Sequence, residues 1–296
     1  MIQLEGTSKR FREIEALAPV DLEIRRGEWM GIFGRNGSGK TSLLRILVGL
    51  SQPSTGRVLL EGKPPQPEDW RTFRSQLGFM PERVVFHENL TAEKTLRYFA
   101  RLRGVDRNEV MPALESVGLG DAAKRRVGGY SKGMLQRLNL AQALLGTPRL
   151  LFLDEPFSGL DPGGVGLFLD LLKSVENRTV VFSSHRVHRL YGKVDRICVL
   201  SAGHVKALGT EADLCHRLEL PVRVILQPLP GANGKLEADL GRLALGSVGN
   251  EDGKVVARVP QVNKTAFLAE LKAFDDLIQY LRIEEPSIEE ILLETD

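Results

Sequence analysis

Apolar residues come in short separate bursts along this chain, and their spacing switches between strand-like and helix-like several times. Ile2 to Leu4 and Val20 to Ile24 alternate apolar and polar positions in the manner of antiparallel strands, with Arg10-Phe11-Arg12 between them. Trp29 to Phe33 is a continuous apolar run, as expected of a strand buried on both faces, and Leu43, Leu44, Ile46, Leu47 and Leu50 follow it at helical spacing. Gly56 to Leu60 reads as a further short strand. Pro64-Pro65-Gln66-Pro67 predicts a loop, since proline removes backbone donors and pushes the residue before it out of helix. Gln76 to Met80 returns to strand character. From Thr91, a predicted N-cap, the positions Leu96, Phe99, Ala100 and Leu102 form a helical stripe, and Asp106 with Glu109 predicts a capping box for a second helix. Tyr130 to Met134 opens another helix, carrying Leu135, Leu138, Ala141 and Leu145 and ended by Gly146 and Pro148. Leu150 to Leu153 and Thr179 to Ser184 predict buried parallel strands. Residues 83–146 therefore read as an all-helical insertion between two sheet-forming parts.

The chemistry concentrates where strands end. Directly after Trp29 to Phe33 comes Gly34-Arg35-Asn36-Gly37-Ser38-Gly39-Lys40-Thr41, followed by Ser42 and the helical run. This is the spacing of a P-loop, in which backbone N–H groups converge on phosphate oxygens and side chains would obstruct them. Lys40 supplies a mobile cation for β- and γ-phosphates, Thr41 a hydroxyl for Mg²⁺, and the helix N-terminus a positive dipole end. Leu150 to Leu153 ends in Asp154-Glu155, which places a Mg²⁺-binding carboxylate and a candidate general base at a strand terminus. His185 ends Thr179 to Ser184 and is expected at the same sheet edge, in reach of a γ-phosphate. Phe11 is a candidate stacking surface for an adenine ring, although ordinary loop packing explains an aromatic there equally well. His188 is given no role.

Composition narrows the class. The chain has 296 residues and net charge +2, distributed as +8 over residues 1–217 and −6 over residues 218–296. A basic front half suits a nucleotide, and an acidic tail argues against a long nucleic-acid footprint. Cys198 and Cys215 sit in apolar settings and read as buried thiols, which fits a reducing compartment. The start, Met1-Ile2-Gln3-Leu4-Glu5, lacks the order of a signal peptide, and no apolar window is long enough to span a bilayer. The histidines are scattered and offer no zinc or copper spacing.

The ordered set resembles the ATPase subunits of ABC transporters over residues 1–216. It comprises Phe11, the Walker A run Gly34 to Thr41, Glu82 at the Q-loop position, Tyr130-Ser131-Lys132-Gly133-Met134 as signature motif, Leu150 to Glu155 as Walker B, Ser158 to Asp161 as D-loop, and His185 as switch histidine. The resemblance implies an α/β fold: a P-loop NTPase (RecA-like) core with an antiparallel β subdomain and the helical subdomain of residues 83–146. It implies ATP and Mg²⁺, the ion held by Thr41, Glu82 and Asp154, with Glu155, His185 and Glu82 as catalytic groups. It also implies a head-to-tail homodimer in which Tyr130, Ser131, Lys132, Gly133 and Asp161 of one copy close over nucleotide on the other. A separate transmembrane permease and a cytoplasmic position on the inner face of the membrane belong to the same expectation. Glu82 replaces the usual Gln, and Tyr130 and Lys132 the usual Leu and Gly. Leu77 to Glu82, Arg97 to Leu102 and Tyr130 to Leu138 are most similar to the ATPases of nitrous oxide reductase maturation, which implies a sulfur- or copper-related cargo and a periplasmic partner. Residues 217–296, with apolar runs Val222 to Leu226, Val255 to Val259 and Leu277 to Ile283 around the helical stretch Thr265 to Phe274, predict a small accessory α+β domain of ferredoxin-like type. The alternative is a soluble ABC-type ATPase acting on nucleic acid or ribosomes; one P-loop and no sustained heptads weigh against it.

Overall fold

The computed structural model describes residues 1–160, 162–173, 178–185, 194–286 and 290–291; Asp161 and His188 fall outside them. It divides into two compact units, Met1–Leu208 and Gly209–Asp296.

In the first unit, β1 (Ile2–Phe11), β2 (Ile14–Ile24), β3 (Trp29–Phe33), α1 (Lys40–Leu47), β4 (Thr55–Leu60), α2 (Pro67–Ser75) and β5 (Leu77–Met80) come first. Then follow α3 (Ala92–Arg103), α4 (Val110–Ser116), α5 (Lys132–Leu144), β6 (Leu150–Leu153), α6 (Pro162–Lys173), β7 (Thr179–Ser184), β8 (Arg196–Ser201) and β9 (His204–Gly209). The core sheet has the order β5-β6-β7-β3-β8-β9, and the pairs from β5 through β8 are parallel. Because parallel strands all point one way, β3, β6 and β7 deliver their C-terminal residues to one edge. All six residues of β7 are buried, as the reading of Thr179 to Ser184 as a buried strand expects.

A second sheet, β2-β1-β4, is antiparallel. Its strands run further than the two-residue alternation suggests, because register shifts between Leu4 and Thr7, Thr7 and Lys9, and Lys9 and Arg10 break the period without ending the pairing. Ile2, Leu4, Leu17, Val20 and Leu22 from this sheet share one core with Met30 and Ile32 of β3 and Leu43, Leu44 and Leu47 of α1. That shared core seats the P-loop strand and helix against both sheets.

One local prediction is corrected and one element added. Pro64 to Gln66 are not helical, as the loop reading expects, and Pro67 opens a further helix, α2, with Gln66 and Asp69 forming a reciprocal capping box; proline is favoured there because its missing N–H has no helical acceptor to serve. The Asp106/Glu109 box does not form. Asp106 accepts from Asn108 N–H at 2.8 Å to start a short 3₁₀ turn, while the Glu109 carboxylate accepts from Gly146 N–H at 3.2 Å. Thr91 does cap α3, accepting from Lys94 N–H at 3.2 Å.

The second unit begins with α7 (Glu211–Arg217), capped by a box of Thr210 and Asp213. It continues through β10 (Val222–Pro228), α8 (Asn233–Arg242), β11 (Ser247–Glu251), β12 (Lys254–Val259), α9 (Lys264–Glu270) and β13 (Ile278–Glu284). The break after Leu208 precedes the boundary at 216 read from sequence, since α7 packs forward: Cys215 Sγ donates to Pro286 O at 3.8 Å. From β10 on, the order β-α-β-β-α-β and the antiparallel sheet β11-β12-β10-β13 make the split βαβ arrangement. Val222, Val224, Leu226, Leu236, Val255 and Phe267 form its separate core.

Both cysteines are buried free thiols. Burial pushes Cys198 up to about 12, and burial with the nearby carboxylates Glu211, Glu290 and Glu285 pushes Cys215 up to about 11. Among the described residues no helix is long and apolar enough to cross a membrane.

One cation ties the helical insertion to the core sheet. Arg103, at the end of α3, donates to Leu77 O of β5 at 2.9 Å and to Gln142 O and Ala143 O of α5 at 3.4 Å each. Burial pulls its pKa down, yet a guanidinium is too basic to lose its proton, so it remains a cation among carbonyls. Arg103→Leu removes those donors and is expected to lower unfolding stability by about 2 kcal/mol, measured by urea denaturation, with Arg103→Lys restoring only part of it.

Candidate active site

The loop after β3 works because glycines stand where no side chain fits. A Cβ on Gly34 would lie 2.1 Å from Leu200 O, and one on Gly39 would lie 2.5 Å from Ala16 O. Gly39 adopts φ 104 and opens α1, whose first-turn N–H groups have no helical acceptor. Arg35 and Asn36 are exposed on the loop, Ser42 is half-buried in the first turn of α1, and Ser38 Oγ is buried without a hydrogen-bond partner. Gly37 turns with φ 83.

Lys40 is only 6 % exposed. Its Nζ donates to Gly34 O at 2.7 Å and Arg35 O at 3.0 Å, and faces Glu155 Oε1 at 3.3 Å in an ion pair without a hydrogen bond. Thr41 Oγ1 donates to Asp154 Oδ1 at 3.2 Å. Asp154 and Glu155 are both buried, and Glu155 has φ 47, a left-handed turn that is uncommon for a residue with a side chain. His185 closes the set: its backbone N–H and ring Nδ1 lie 3.2 Å and 2.8 Å from Glu155 Oε2. An ionised Glu155 accepts from an Nδ1–H, which fixes the ring's orientation.

Sequence reasoning missed Ser183. Its Oγ donates to Asp154 Oδ1 at 2.6 Å and accepts from Glu155 N–H at 2.9 Å, so one hydroxyl positions both acids. The available signal was a hydroxyl pair, Ser183-Ser184, closing an otherwise apolar strand. Gln136 of α5 was also missed: its amide donates to Pro156 O at 3.0 Å and Glu155 O at 3.4 Å, tying the start of α5 to the strained turn that carries Glu155.

The remaining candidates fall around this cluster. Phe11 ends β1 at the tip of the β1/β2 hairpin, 48 % exposed, with Lys9 Nζ 5.0 Å from its ring centroid. Ala16 of that hairpin supports Gly39 directly. Glu82 follows β5 at the same sheet edge as Asp154, whose N–H donates to Met80 O at 2.8 Å, but its side chain is exposed and among the described residues meets only Arg83 Nε at 3.9 Å. The structure therefore does not bring Glu82 into the cluster. Ser131 caps α5, accepting from Met134 N–H at 3.3 Å, and Ser131 and Lys132 are exposed. A Cβ on Gly133 would meet only Leu160 Cδ2 at 3.7 Å. Tyr130 points the other way: it is 8 % exposed, and its hydroxyl donates to Ala122 O at 2.8 Å inside the helical lobe. Its part is to anchor the motif rather than to present a ring to a ligand. Asp161 lies outside the described residues.

The electrostatics fit a triphosphate with a hard cation. Lys40 pairs with Glu155, while the buried Asp154 carboxylate is met by the Thr41 and Ser183 hydroxyls, so a divalent ion held near Thr41 Oγ1 and Asp154 Oδ1 would balance its charge, and Lys40, Ser38 Oγ and the α1 N–H groups suit phosphate oxygens. Among the described residues no three His, Cys, Asp or Glu form a metal site by themselves, so such an ion takes part of its coordination from phosphate. Gln136→Ala is expected to lower triphosphate hydrolysis about tenfold while KM stays within about twofold, since it frees the Glu155 turn without touching the phosphate cradle; steady-state kinetics check this.

The family model for ABC transporters matches residues 17–158. YxlF of Bacillus subtilis (strain 168), an uncharacterized ABC transporter ATP-binding protein, is 35 % identical over 219 residues, covering 72 % of each chain. The linearmycin resistance ATP-binding protein LnrL of the same organism is 28 % identical over 304 residues, covering 99 % of this chain and 97 % of its own. Among solved structures, a dimeric ATP-binding cassette in a post-hydrolysis state with ADP and Pi superposes with TM-score 0.62 at 25 % identity, covering 71 % of this chain and 98 % of that one. Read with the loop, the paired acids and the histidine at one sheet edge, these matches show that the chain belongs to the ATP-binding subunits of ABC transporters and is an ATPase.

Proposed function

We propose that this ATPase hydrolyses ATP between two copies of itself and drives a separate transmembrane permease from the cytoplasmic face of the membrane. The single observation that carries the catalytic part is Glu155, held on a left-handed turn between Lys40 and His185. In this reading Glu155 accepts a proton from the attacking water, and His185 holds the carboxylate in place through its ring and backbone donors. Lys40 shifts from the Gly34 and Arg35 carbonyls to the β- and γ-phosphates. Thr41 and Asp154 would hold a Mg²⁺ ion, which when bound would supply positive charge against the triphosphate. Phe11 stacks on the adenine, and exposed Ser131 and Lys132, with Gly133 and Asp161, close over nucleotide on the other copy. The dimeric state of the solved relative supports that arrangement. Glu82, exposed in this structure, would help hold the metal only if the segment after β5 moved, as a permease docked on the helical lobe would make it do.

For the cargo, the similarity of Leu77 to Glu82, Arg97 to Leu102 and Tyr130 to Leu138 to the ATPases of nitrous oxide reductase maturation supports a copper- or sulfur-related species with a periplasmic partner. A second reading, a role in linearmycin resistance, is favoured by the likeness to LnrL along nearly the full chain, accessory unit included. Deleting the gene in its host separates them. Loss of nitrous oxide reductase copper centres supports the first reading, and linearmycin hypersensitivity the second.

Glu155→Gln is expected to bind ATP, lose turnover by at least about a hundredfold, and double its mass in ATP-Mg²⁺ by light scattering; wild-type turnover would remove it as base, and a persistent monomer that captures RNA or ribosomes would favour a soluble machine. Lys40→Ala is expected to weaken ATP binding about a hundredfold by calorimetry.

A further inference from the structure

The first unit contains a cavity of about 610 Å³ at the opposite edge of the core sheet from the P-loop. It is lined where strands begin: Gly27 before β3, Gln76 before β5, Arg149 and Leu150 at β6, and Thr179 at β7. The five residues of β3 separate this edge from Gly34, roughly 17 Å at the usual rise per residue, so a ligand here and a nucleotide at the P-loop do not overlap.

The volume lies in the range of small-molecule sites. Its floor is apolar, from Ile2, Ile24, Leu60 and Phe73, and its rim is cationic, from Arg25, Arg26, Lys63 and Arg149. Two carboxylates also line it, and both are engaged: Glu61 by Arg26 Nη2 at 2.8 Å and by the chain's amino group at 2.6 Å, Asp69 by Gln66 N–H at 2.8 Å. Arg25 Nε stands 3.8 Å from Glu23 Oε2, a long and exposed pair. Lys63 and Arg149 meet no carboxylate at ion-pair distance among the described residues. An apolar floor under unneutralised cations selects an anion attached to a hydrophobic body, because a plain anion leaves the floor wet and a neutral apolar molecule leaves the rim unpaired.

We propose that this cavity is a binding site, separate from the nucleotide site, for a small molecule bearing a carboxylate or phosphate on an apolar body, held by Arg25, Lys63 and Arg149 over Ile24, Leu60 and Phe73. The test is calorimetric titration of decanoate and of decyl phosphate into the full chain, alone and saturated with ADP. Saturable binding at one site is expected, unchanged by ADP, weakened about tenfold by Arg149→Glu and again by adding Arg25→Glu, and unchanged by Arg57→Glu, an exposed arginine of β4 outside the cavity. Circular dichroism checks that each variant is folded. Absence of binding, competition by ADP, or equal weakening by Arg57→Glu would overturn the proposal. A further arm uses vesicles containing phosphatidic acid: arginine-dependent binding to vesicles with none to the soluble probes would assign the rim to a membrane surface and overturn the small-molecule site.

Discussion

A buried lysine paired with the buried Glu155, beside a second buried carboxylate, Asp154, held by the Thr41 and Ser183 hydroxyls, is the arrangement on which the rest of the first unit depends. Desolvated charges are costly unless held in register with partners, and here each partner arrives from a different part of the chain: Lys40 from α1, Asp154 and Glu155 from just after β6, Ser183 and His185 from the end of β7 and the residue after it. Parallel pairing of β6, β7 and β3 solves the placement, because it brings three strand ends to one edge and covers both faces of the sheet with apolar side chains. The antiparallel sheet then contributes Ala16, whose carbonyl leaves room at Gly39 for nothing larger than hydrogen. The glycines of the loop are thus fixed from two sides, by phosphate access and by backbone crowding.

Much of this was legible in the sequence, for a physical reason. Phosphate cradling demands glycines, a lysine and a hydroxyl at fixed offsets within one loop, and a buried strand demands an unbroken apolar run, so both leave local marks. What was not legible depends on partners distant in sequence. Ser183 gains its role only because β7 lies beside β6, and Gln136 only because α5 begins beside the turn after Asp154. Tyr130 looked like a contact residue from its place in the signature motif, but the Ala122 carbonyl and the helical lobe take it inward. The helix opening at Pro67 was not placed because proline, which breaks a helix interior, is favoured at a helix start. In the second unit, short apolar runs placed β10, β12 and β13, whereas β11, with one apolar residue in Ser247–Glu251, left no such run, and the order of the strands could be read only from the pairings.

Two kinds of anchoring meet in the helical insertion. Arg103 fastens the end of α3 to β5 and α5 with a cation that no neighbouring carboxylate needs to balance, since three carbonyl oxygens receive it. Glu109 fastens the following turn to Gly146 beyond α5. The lobe is thereby built as a lever with fixed roots and an exposed motif, Ser131 and Lys132, at its working end.

The amide of Gln136 gives that lever a second meaning. It grips the carbonyls of Glu155 and Pro156 from the same helix whose first residues would meet the other copy's nucleotide. In a head-to-tail pair, a displacement of the helix start is then felt as a displacement of the backbone beneath this copy's own base. The two hydrolytic centres would share a mechanical clock, each one's readiness set by what its neighbour holds.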